Sequence, residues 1–210
     1  MNPTKTKTGQ APVKDTADNG SIHPTAVIHP DSHVDPTCSI GPFCIIGSGV
    51  ELGPGCRLLG HVHLQGPTRI GKNNIFYPFC SIGSRTQDLK YSDEPTYLEI
   101  GDENTFRESV TVNRATGAGE KTIIGSHNNF LAYAHVAHNC EVGNHCIFSN
   151  NGTLAGHVIM EDYAVIGGLS AVHQFCRNKI IEPGHNNAEF SALGRKFCID
   201  NLWHEIFPSS

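Results

Sequence analysis

The sequence predicts an all-β solenoid built from six-residue units, and three patterns carry this prediction. Large apolar side chains recur at every sixth position from Ile22 to Val172. A slot for small residues lies four positions after each of them. Glycine and proline fill the one or two positions that follow the apolar residue. Neither a helix nor a hairpin repeats every six residues, so the chain is a repeat protein.

The apolar register keeps one phase over most of the chain. Its members are Ile22, Ile28, Val34, Ile40, Ile46, Leu52, Leu58, Leu64, Ile70, Phe76, Ile82, Ile100, Phe106, Val112, Ala118, Ile124, Phe130, Val136, Val142, Phe148, Leu154, Met160, Ile166 and Val172. Asp88 and Glu94 interrupt it. We therefore predict one loop over Arg85–Tyr97 and a second over the glycine-rich stretch Ala115–Lys121. Loops that leave a rigid scaffold often carry function.

Each unit is expected to be a short strand followed by a corner. The apolar and small residues share the inward face of the strand. We expect the glycines to supply positive φ and the prolines to fix φ at the corners. Repeats of this form resemble the left-handed parallel β-helix, in which three units close one coil; an irregular β-sandwich is the alternative. We predict the β-helix over 22–177, a disordered extension over 1–21 and an unassigned tail over 178–210.

Composition excludes two classes of partner. The 210 residues carry a formal net charge of −5 and only 17 % charged residues, without a basic run. Nucleic acid is therefore not an expected partner, because binding to phosphates needs clustered lysine and arginine. No stretch approaches the roughly 18 apolar residues of a membrane span. The N-terminus has no apolar segment typical of a secretory signal, so a cytoplasmic location is expected.

Most cysteines share the slot for small residues, and this explains their number without a metal or a disulfide framework. The cysteines that fall in this slot are Cys38, Cys44, Cys56, Cys80, Cys140, Cys146 and Cys176. No CxxC pair occurs. We expect these thiols to point inward as small hydrophobic groups and to stay reduced.

Four histidines are expected to crowd one outward patch. A shift of eighteen residues moves a position by one coil, so His138 would lie beneath Gly156 and Gln174. His135, His157 and His173 fall in neighbouring coils. A metal site is the alternative. It is disfavoured because no two histidines are five residues apart, as in the carbonic anhydrases that resemble this fold, and no acidic partner is placed to polarise a zinc-bound water.

A histidine base suits the attack of an alcohol on a thioester, since its pKa lies near neutrality. Gly156 has no Cβ, and its N–H is placed to stabilise a developing oxyanion. His138 and Gly156 are therefore the candidate catalytic pair from position alone.

Longer strings add a family resemblance that covers Ile22 to Cys176. The strings are QDLKY at 87–91, EPT at 94–96, IGDEN at 100–104, RESVTVNR at 107–114, AHVAHNC at 134–140, TLAGHV at 153–158 and AVHQFC at 171–176. With them the chain resembles the acyl-acyl carrier protein–UDP-N-acetylglucosamine O-acyltransferases, which catalyse the first step of lipid A biosynthesis. A generic hexapeptide transferase would share the six-residue units but not these strings.

The resemblance implies a reaction and a role for each matching residue. An R-3-hydroxyacyl chain would pass from acyl carrier protein to the 3-hydroxyl of UDP-N-acetylglucosamine, in a homotrimer, without a metal or redox cofactor. His138 matches the general base and Gly156 the backbone oxyanion donor. The substrate-binding positions are Gln87 beside the acyl chain, Asp88 and Lys90 at the sugar nucleotide, and His135, His157, His173 and Gln174 along the cleft between subunits.

The sequence departs from the family at three places. Asn139 follows the catalytic histidine where the family often has aspartate, and Asn113 stands where some members have histidine. The match also stops at Cys176, whereas the family continues with further coils and a helical domain. We therefore expect a chain that lacks the C-terminal part, and keep a trimeric β-helix without turnover as the alternative. The related N-acyltransferases have an N-terminal sugar-binding domain, for which the extension here is too short.

Overall fold

Three parallel sheets make up the structure, a computed structural model that describes residues 20–178. The chain visits the sheets in turn, so that one strand from each completes a coil, and strands of successive coils pair in parallel. This is a left-handed parallel β-helix of hexapeptide repeats, as predicted. The extension predicted for 1–21 and the tail predicted for 178–210 lie outside the described residues, except Gly20, Ser21 and Asn178.

The strands are short in all three sheets. The first sheet contains β1 (Val27–Ile28), β4 (Ile45–Ile46), β7 (His63–Leu64), β10 (Ser81–Ser84), β13 (Thr111–Asn113), β16 (His135–Val136), β19 (Thr153–Leu154) and β22 (Ala171–Val172). The second contains β2 (His33–Val34), β5 (Val50–Leu52), β8 (Thr68–Ile70), β11 (Tyr97–Ile100), β14 (Lys121–Ile124), β17 (Glu141–Val142), β20 (Ile159–Met160) and β23 (Arg177–Asn178). The third contains β3 (Ser39–Ile40), β6 (Arg57–Leu58), β9 (Ile75–Phe76), β12 (Thr105–Phe106), β15 (Asn129–Phe130), β18 (Ile147–Phe148) and β21 (Val165–Ile166). No helix in 20–178 is long and apolar enough to cross a membrane.

Two loops lengthen the coils without breaking the apolar phase. Leu64 pairs with Ile82, eighteen positions on, whereas Ile82 pairs with Val112, thirty positions on. Val112 in turn pairs with Val136, twenty-four positions on. The extra twelve and six residues belong to loop 1 (85–96) and loop 2 (115–120). Both lengths are multiples of six, so the register resumes after each. The sequence analysis counts Ala118 within the apolar register, but this residue is exposed in loop 2, so that assignment is wrong.

The solenoid interior is apolar and closely packed. Phe76, Phe106, Phe130 and Phe148 form a continuous stack, with ring centroids 4.9, 4.8 and 4.5 Å apart. Burial of each such ring stabilises the fold by roughly 1.5–3 kcal/mol. Six of the seven cysteines in the small-residue slot are buried, as predicted, but Cys176 in the last described coil is only partly buried. Residues 20–178 contain no further coil to cover it.

A ladder of buried asparagines fills the small-residue slot at three levels, and the sequence analysis missed it. The Asn74 Oδ1 accepts hydrogen bonds from the Asn104 backbone N–H and side-chain amide, at 2.9 and 3.0 Å. The Asn104 Oδ1 accepts the Asn128 N–H at 2.8 Å, and the Asn128 Oδ1 accepts the Cys146 N–H at 2.7 Å. Buried polar groups need such partners, and here each amide supplies one to the next coil.

The role predicted for the corner glycines is wrong for all of those directly after the apolar residue except Gly83, whose φ is 80°. The residue with positive φ lies three positions after the apolar residue, and it is usually not glycine: φ is 57° at Phe43 and 59° at Asn139. Gly53, directly after Leu52, does not have a positive φ. A Cβ there would lie 2.8 Å from the Gly71 carbonyl oxygen. These glycines permit close approach of successive coils rather than an unusual dihedral.

Candidate functional site

The predicted site residues meet at the corner between the first and second sheets. This site corner consists of the turns 137–140, 155–158 and 173–176 in three successive coils, and loops 1 and 2 leave earlier coils at the same corner. The His157 N–H donates to the His138 carbonyl at 3.1 Å, and the Phe175 N–H to the Gly156 carbonyl at 3.2 Å. The predicted stacking of His138 beneath Gly156 is confirmed.

The imidazole of His138 lies directly against Gly156. A Cβ built on Gly156 would lie 2.5 Å from both Cε1 and Nε2 of that ring. Only glycine therefore leaves room for the imidazole in this position. The ring of His157 approaches edge-on, with centroids 5.2 Å apart and an interplanar angle of 89°. The His138 side chain is 15 % exposed, which leaves it shielded but reachable.

Hydrogen bonds from Asn139 define which nitrogen of His138 carries a proton. The Asn139 Oδ1 accepts the Thr116 N–H at 3.0 Å, and its Nδ2 donates to the Glu120 Oε2 at 2.6 Å. These partners assign the two ends of the amide, since a peptide N–H only donates and a carboxylate only accepts. The Oδ1 also lies 3.0 Å from the His138 Nδ1, which must therefore donate. In the neutral ring, Nε2 then carries the lone pair.

Loop 1 brings Asp88 to the other side of the imidazole. The Asp88 Oδ2 lies 3.9 Å from the His138 Nε2. Thr86 holds this segment in place, because its Oγ1 accepts the Asp88 N–H at 3.0 Å and the Thr116 hydroxyl at 2.9 Å. The Thr86–Thr116 hydrogen bond thus joins the two loops beside the imidazole.

His135 lies in β16, one strand before the corner. Its Nδ1 is 2.7 Å from the Thr111 Oγ1 of the preceding coil. Burial lowers the pKa of His135, and the nearby His138 lowers it further. The structure therefore favours the neutral imidazole at this position.

The other predicted residues lie around this centre rather than in it. Gln87 and Lys90 are exposed on loop 1, where the Lys90 N–H donates to the Asp88 Oδ1 at 3.0 Å. His173 and Gln174 are exposed in the turn 173–176, two coils beyond His138. All four lie between strands of the first and second sheets, on loop 1 or in the last turn of the site corner.

Glu120 is the residue of this site that the sequence analysis missed. It is the last residue of loop 2, and its carboxylate also accepts the Gly117 N–H at 2.9 Å. The hydrogen bonds from Asn139 and Gly117 lower the pKa of Glu120, and the charges of His157 and His138 add to this effect. A single glutamate at the end of a glycine-rich loop carries no sequence signal for such a position. Among residues 20–178, no three His, Cys, Asp or Glu side chains converge as metal ligands.

Comparison with known proteins gives a consistent set of matches. The family described as bacterial transferase hexapeptide (six repeats) matches residues 25–60. LpxA from Acinetobacter baumannii is 47 % identical with a TM-score of 0.72, over 74 % of this chain and 61 % of that one. The UDP-N-acetylglucosamine O-acyltransferase (LpxA) from Moraxella catarrhalis is 43 % identical with a TM-score of 0.71, over the same 74 % and 61 %.

The chain thus spans about 61 % of the length of these two structures. A third match extends further along both chains. LpxA from Bacteroides fragilis, a UDP-N-acetylglucosamine acyltransferase, is 30 % identical with a TM-score of 0.68, over 90 % of this chain and 86 % of that one. Fold, site geometry and sequence identity agree: the chain belongs to the family of UDP-N-acetylglucosamine O-acyltransferases.

Proposed function

We propose that this protein transfers an R-3-hydroxyacyl chain from acyl carrier protein to the 3-hydroxyl of UDP-N-acetylglucosamine, the first step of lipid A biosynthesis. One observation carries the proposal: the His138 imidazole presents an unprotonated Nε2 against Gly156, at a corner flanked by two loops. An imidazole base placed beside a backbone N–H is the equipment that acyl transfer to an alcohol requires.

In the proposed mechanism, the His138 Nε2 removes the proton of the sugar 3-hydroxyl as its oxygen attacks the thioester carbon. A C–O bond forms, and the carbonyl oxygen becomes an oxyanion. The Gly156 N–H would stabilise this charge; it donates to no acceptor in the part of the chain that the structure describes. Collapse breaks the C–S bond, and the protonated His138 returns its proton to the phosphopantetheine thiolate. The step balances without a metal or redox cofactor.

The surrounding side chains fit substrate-binding roles. Asp88 is close enough to His138 to orient the attacking hydroxyl between them, at a carboxylate–imidazole distance of 3.9 Å. Lys90 would contact the sugar nucleotide, and Gln87 would lie beside the acyl chain. His135, His157, His173 and Gln174 would line the cleft. We further propose a homotrimer that closes this cleft with a neighbouring subunit.

The cytoplasmic location remains part of the proposal. The six buried cysteines within residues 20–178 are free thiols, which fits a reducing compartment.

The test is a direct acyl-transfer assay on the purified chain, with the oligomeric state measured by light scattering. R-3-hydroxyacyl carrier proteins of several chain lengths are incubated with UDP-N-acetylglucosamine, and products are identified by mass spectrometry. We expect a product that gains the mass of one hydroxyacyl group. The 3-deoxy sugar nucleotide is the matched control and should give none. A folded trimer without turnover would contradict the proposal and favour the non-catalytic alternative.

A further inference from the structure

We propose that Glu120 is a positioning residue for His138 and acts on it through the amide of Asn139. The inference rests on the proposed function, because it concerns the base of that reaction. The chain has no carboxylate at position 139, next to the catalytic imidazole. In this structure the carboxylate on that side belongs to Glu120, which is separated from the imidazole by the amide of Asn139.

The first step of the argument is the orientation of the amide. Two partners hold the Asn139 side chain in one of its two flipped states: the Thr116 N–H, which Oδ1 accepts at 3.0 Å, and the Glu120 carboxylate, which accepts from Nδ2 at 2.6 Å. Together they direct Oδ1 toward the His138 Nδ1, and loss of Glu120 weakens this preference. A flipped amide would place an NH₂ group against Nδ1 and favour the other tautomer. The base would then carry its proton on Nε2, on the substrate side.

The second step concerns charge on the two sides of the ring. Asp88 faces Nε2 at 3.9 Å, where the proton arrives, while Glu120 lies beyond Asn139 on the Nδ1 side. His157 and His135 are the other titratable groups near this ring. When His138 accepts a proton, the amide between it and Glu120 becomes part of a chain of hydrogen bonds. Such chains strengthen one another when one end is ionised.

The third step is that loop 2 holds Glu120 in this position. Its carbonyl accepts the Tyr97 N–H at 3.0 Å, and its own N–H donates to the Gly117 carbonyl at 3.0 Å. Asn139 is fixed equally well, since its backbone N–H donates to the buried Thr122 hydroxyl at 2.8 Å. Neither partner has to be ordered when the substrate binds. Glu120 is exposed, however, so salt and water screen its charge and the effect should be moderate.

A double-mutant cycle tests this role. Glu120→Gln should lower kcat about tenfold with KM within about twofold, because the base rather than the binding cleft is affected. In an Asn139→Asp background a carboxylate contacts His138 directly and lies against Glu120. There, Glu120→Gln should leave kcat unchanged or raise it. Glu103→Gln, which removes a carboxylate 3.3 Å from a histidine at another corner, is the control and should have no effect.

A merely structural role of Glu120 in loop 2 predicts the same loss in both backgrounds, and that result would overturn the inference. The second readout needs no turnover: nitrogen NMR of His138 in the substrate-free protein. We expect the Nδ1–H tautomer in the wild type and in Glu120→Gln, whose side-chain oxygen can still accept from Asn139, and a smaller share of it in Glu120→Ala. Identical spectra in the wild type and Glu120→Ala would also overturn the inference. Wild-type protein with the expected spectra but no acyl transfer would refute the proposed function and leave this inference standing.

Discussion

Two corners of the same solenoid carry histidines in successive coils and use them in opposite ways. At the site corner, His138 and His157 meet edge to face with an angle of 89°. At the corner between the second and third sheets, His127, His145 and Tyr163 stack in parallel, 4.8 and 4.7 Å apart. We call the latter the stack corner.

The polar groups of the two corners also face in opposite directions. Behind the stack corner, the asparagine ladder binds backbone groups inside the solenoid. At the site corner, Asn139 and Glu120 bind outside it and fix one imidazole. The contact between the His127 Nδ1 and the Glu103 carboxylate at the stack corner is exposed, so it contributes little to stability. A row of histidines is therefore not a site in itself; what distinguishes the site corner is the set of directional hydrogen bonds and the glycine that contacts one imidazole ring.

The largest expected effect comes from removal of the base at the site corner. His138→Ala should lower kcat about a thousandfold, since a positioned general base contributes on that order. His145→Ala removes an exposed imidazole of the stack corner and should stay within about twofold of wild type. Steady-state acyl-transfer rates measure both. A similar loss of kcat in the two variants would contradict the functional distinction between the two corners.

Gly156→Ala should have the next largest effect on kcat, a loss of about a hundredfold. The added methyl group would occupy the place of the His138 ring and displace the imidazole from its position against residue 156. Circular dichroism and thermal melting serve to show that the coil remains folded. A variant with full activity would mean that the imidazole does not need to lie against residue 156.

The stack corner should respond in stability rather than in rate. Asn104→Ala removes the acceptor of the Asn128 N–H and the donor to the Gly125 carbonyl. We expect the free energy of unfolding to fall by about 2 kcal/mol, because buried polar groups lose their partners. Urea titration measures this, with the neighbouring but exposed Asn129→Ala as the control. The folded fraction should keep its kcat, and a selective loss of activity would argue against the assignment.

The smallest expected effect is a pH dependence at the edge of the site corner. Burial lowers the pKa of His135 below its unfolded value near 6.5. As the pH falls through this range, the unfolded chain therefore binds more protons than the folded chain. The free energy of unfolding should therefore decrease as the pH drops below about 6.5, until the lower folded pKa is passed. His135→Gln should make this decline shallower between pH 7 and 5. Urea titrations at several pH values measure it, and an unchanged slope would contradict the expectation.

The period of six was enough to predict the coil, its inward cysteines and the stacking of His138 beneath Gly156. These follow from which residues share a face, and a strict repeat defines the faces. The apolar register also keeps its phase after both loops, but only because the lengths of the loops are multiples of six. A loop of another length would have closed the coil equally well and shifted the phase.

The remaining features depend on contacts that no period encodes. Glu120 reaches Asn139 because loop 2 is held by tertiary hydrogen bonds, such as that from the Gly119 N–H to the Pro95 carbonyl at 2.8 Å. The path of such a loop cannot be predicted from residue spacing. The role of the corner glycines was misjudged because glycine suits both positive φ and close backbone approach, and only the stacked coils show which one applies.

The positive φ of the corners also explains part of the composition. Asparagine, aspartate and histidine tolerate this region better than most side chains. Four of the eleven histidines within residues 20–178, namely His61, His127, His145 and His157, occupy such positions. Part of the histidine content of this hexapeptide solenoid is thus explained by backbone geometry and not by catalysis. The same tolerance makes asparagine and aspartate interchangeable at position 139 for the backbone, which leaves that choice to the chemistry of the neighbouring imidazole.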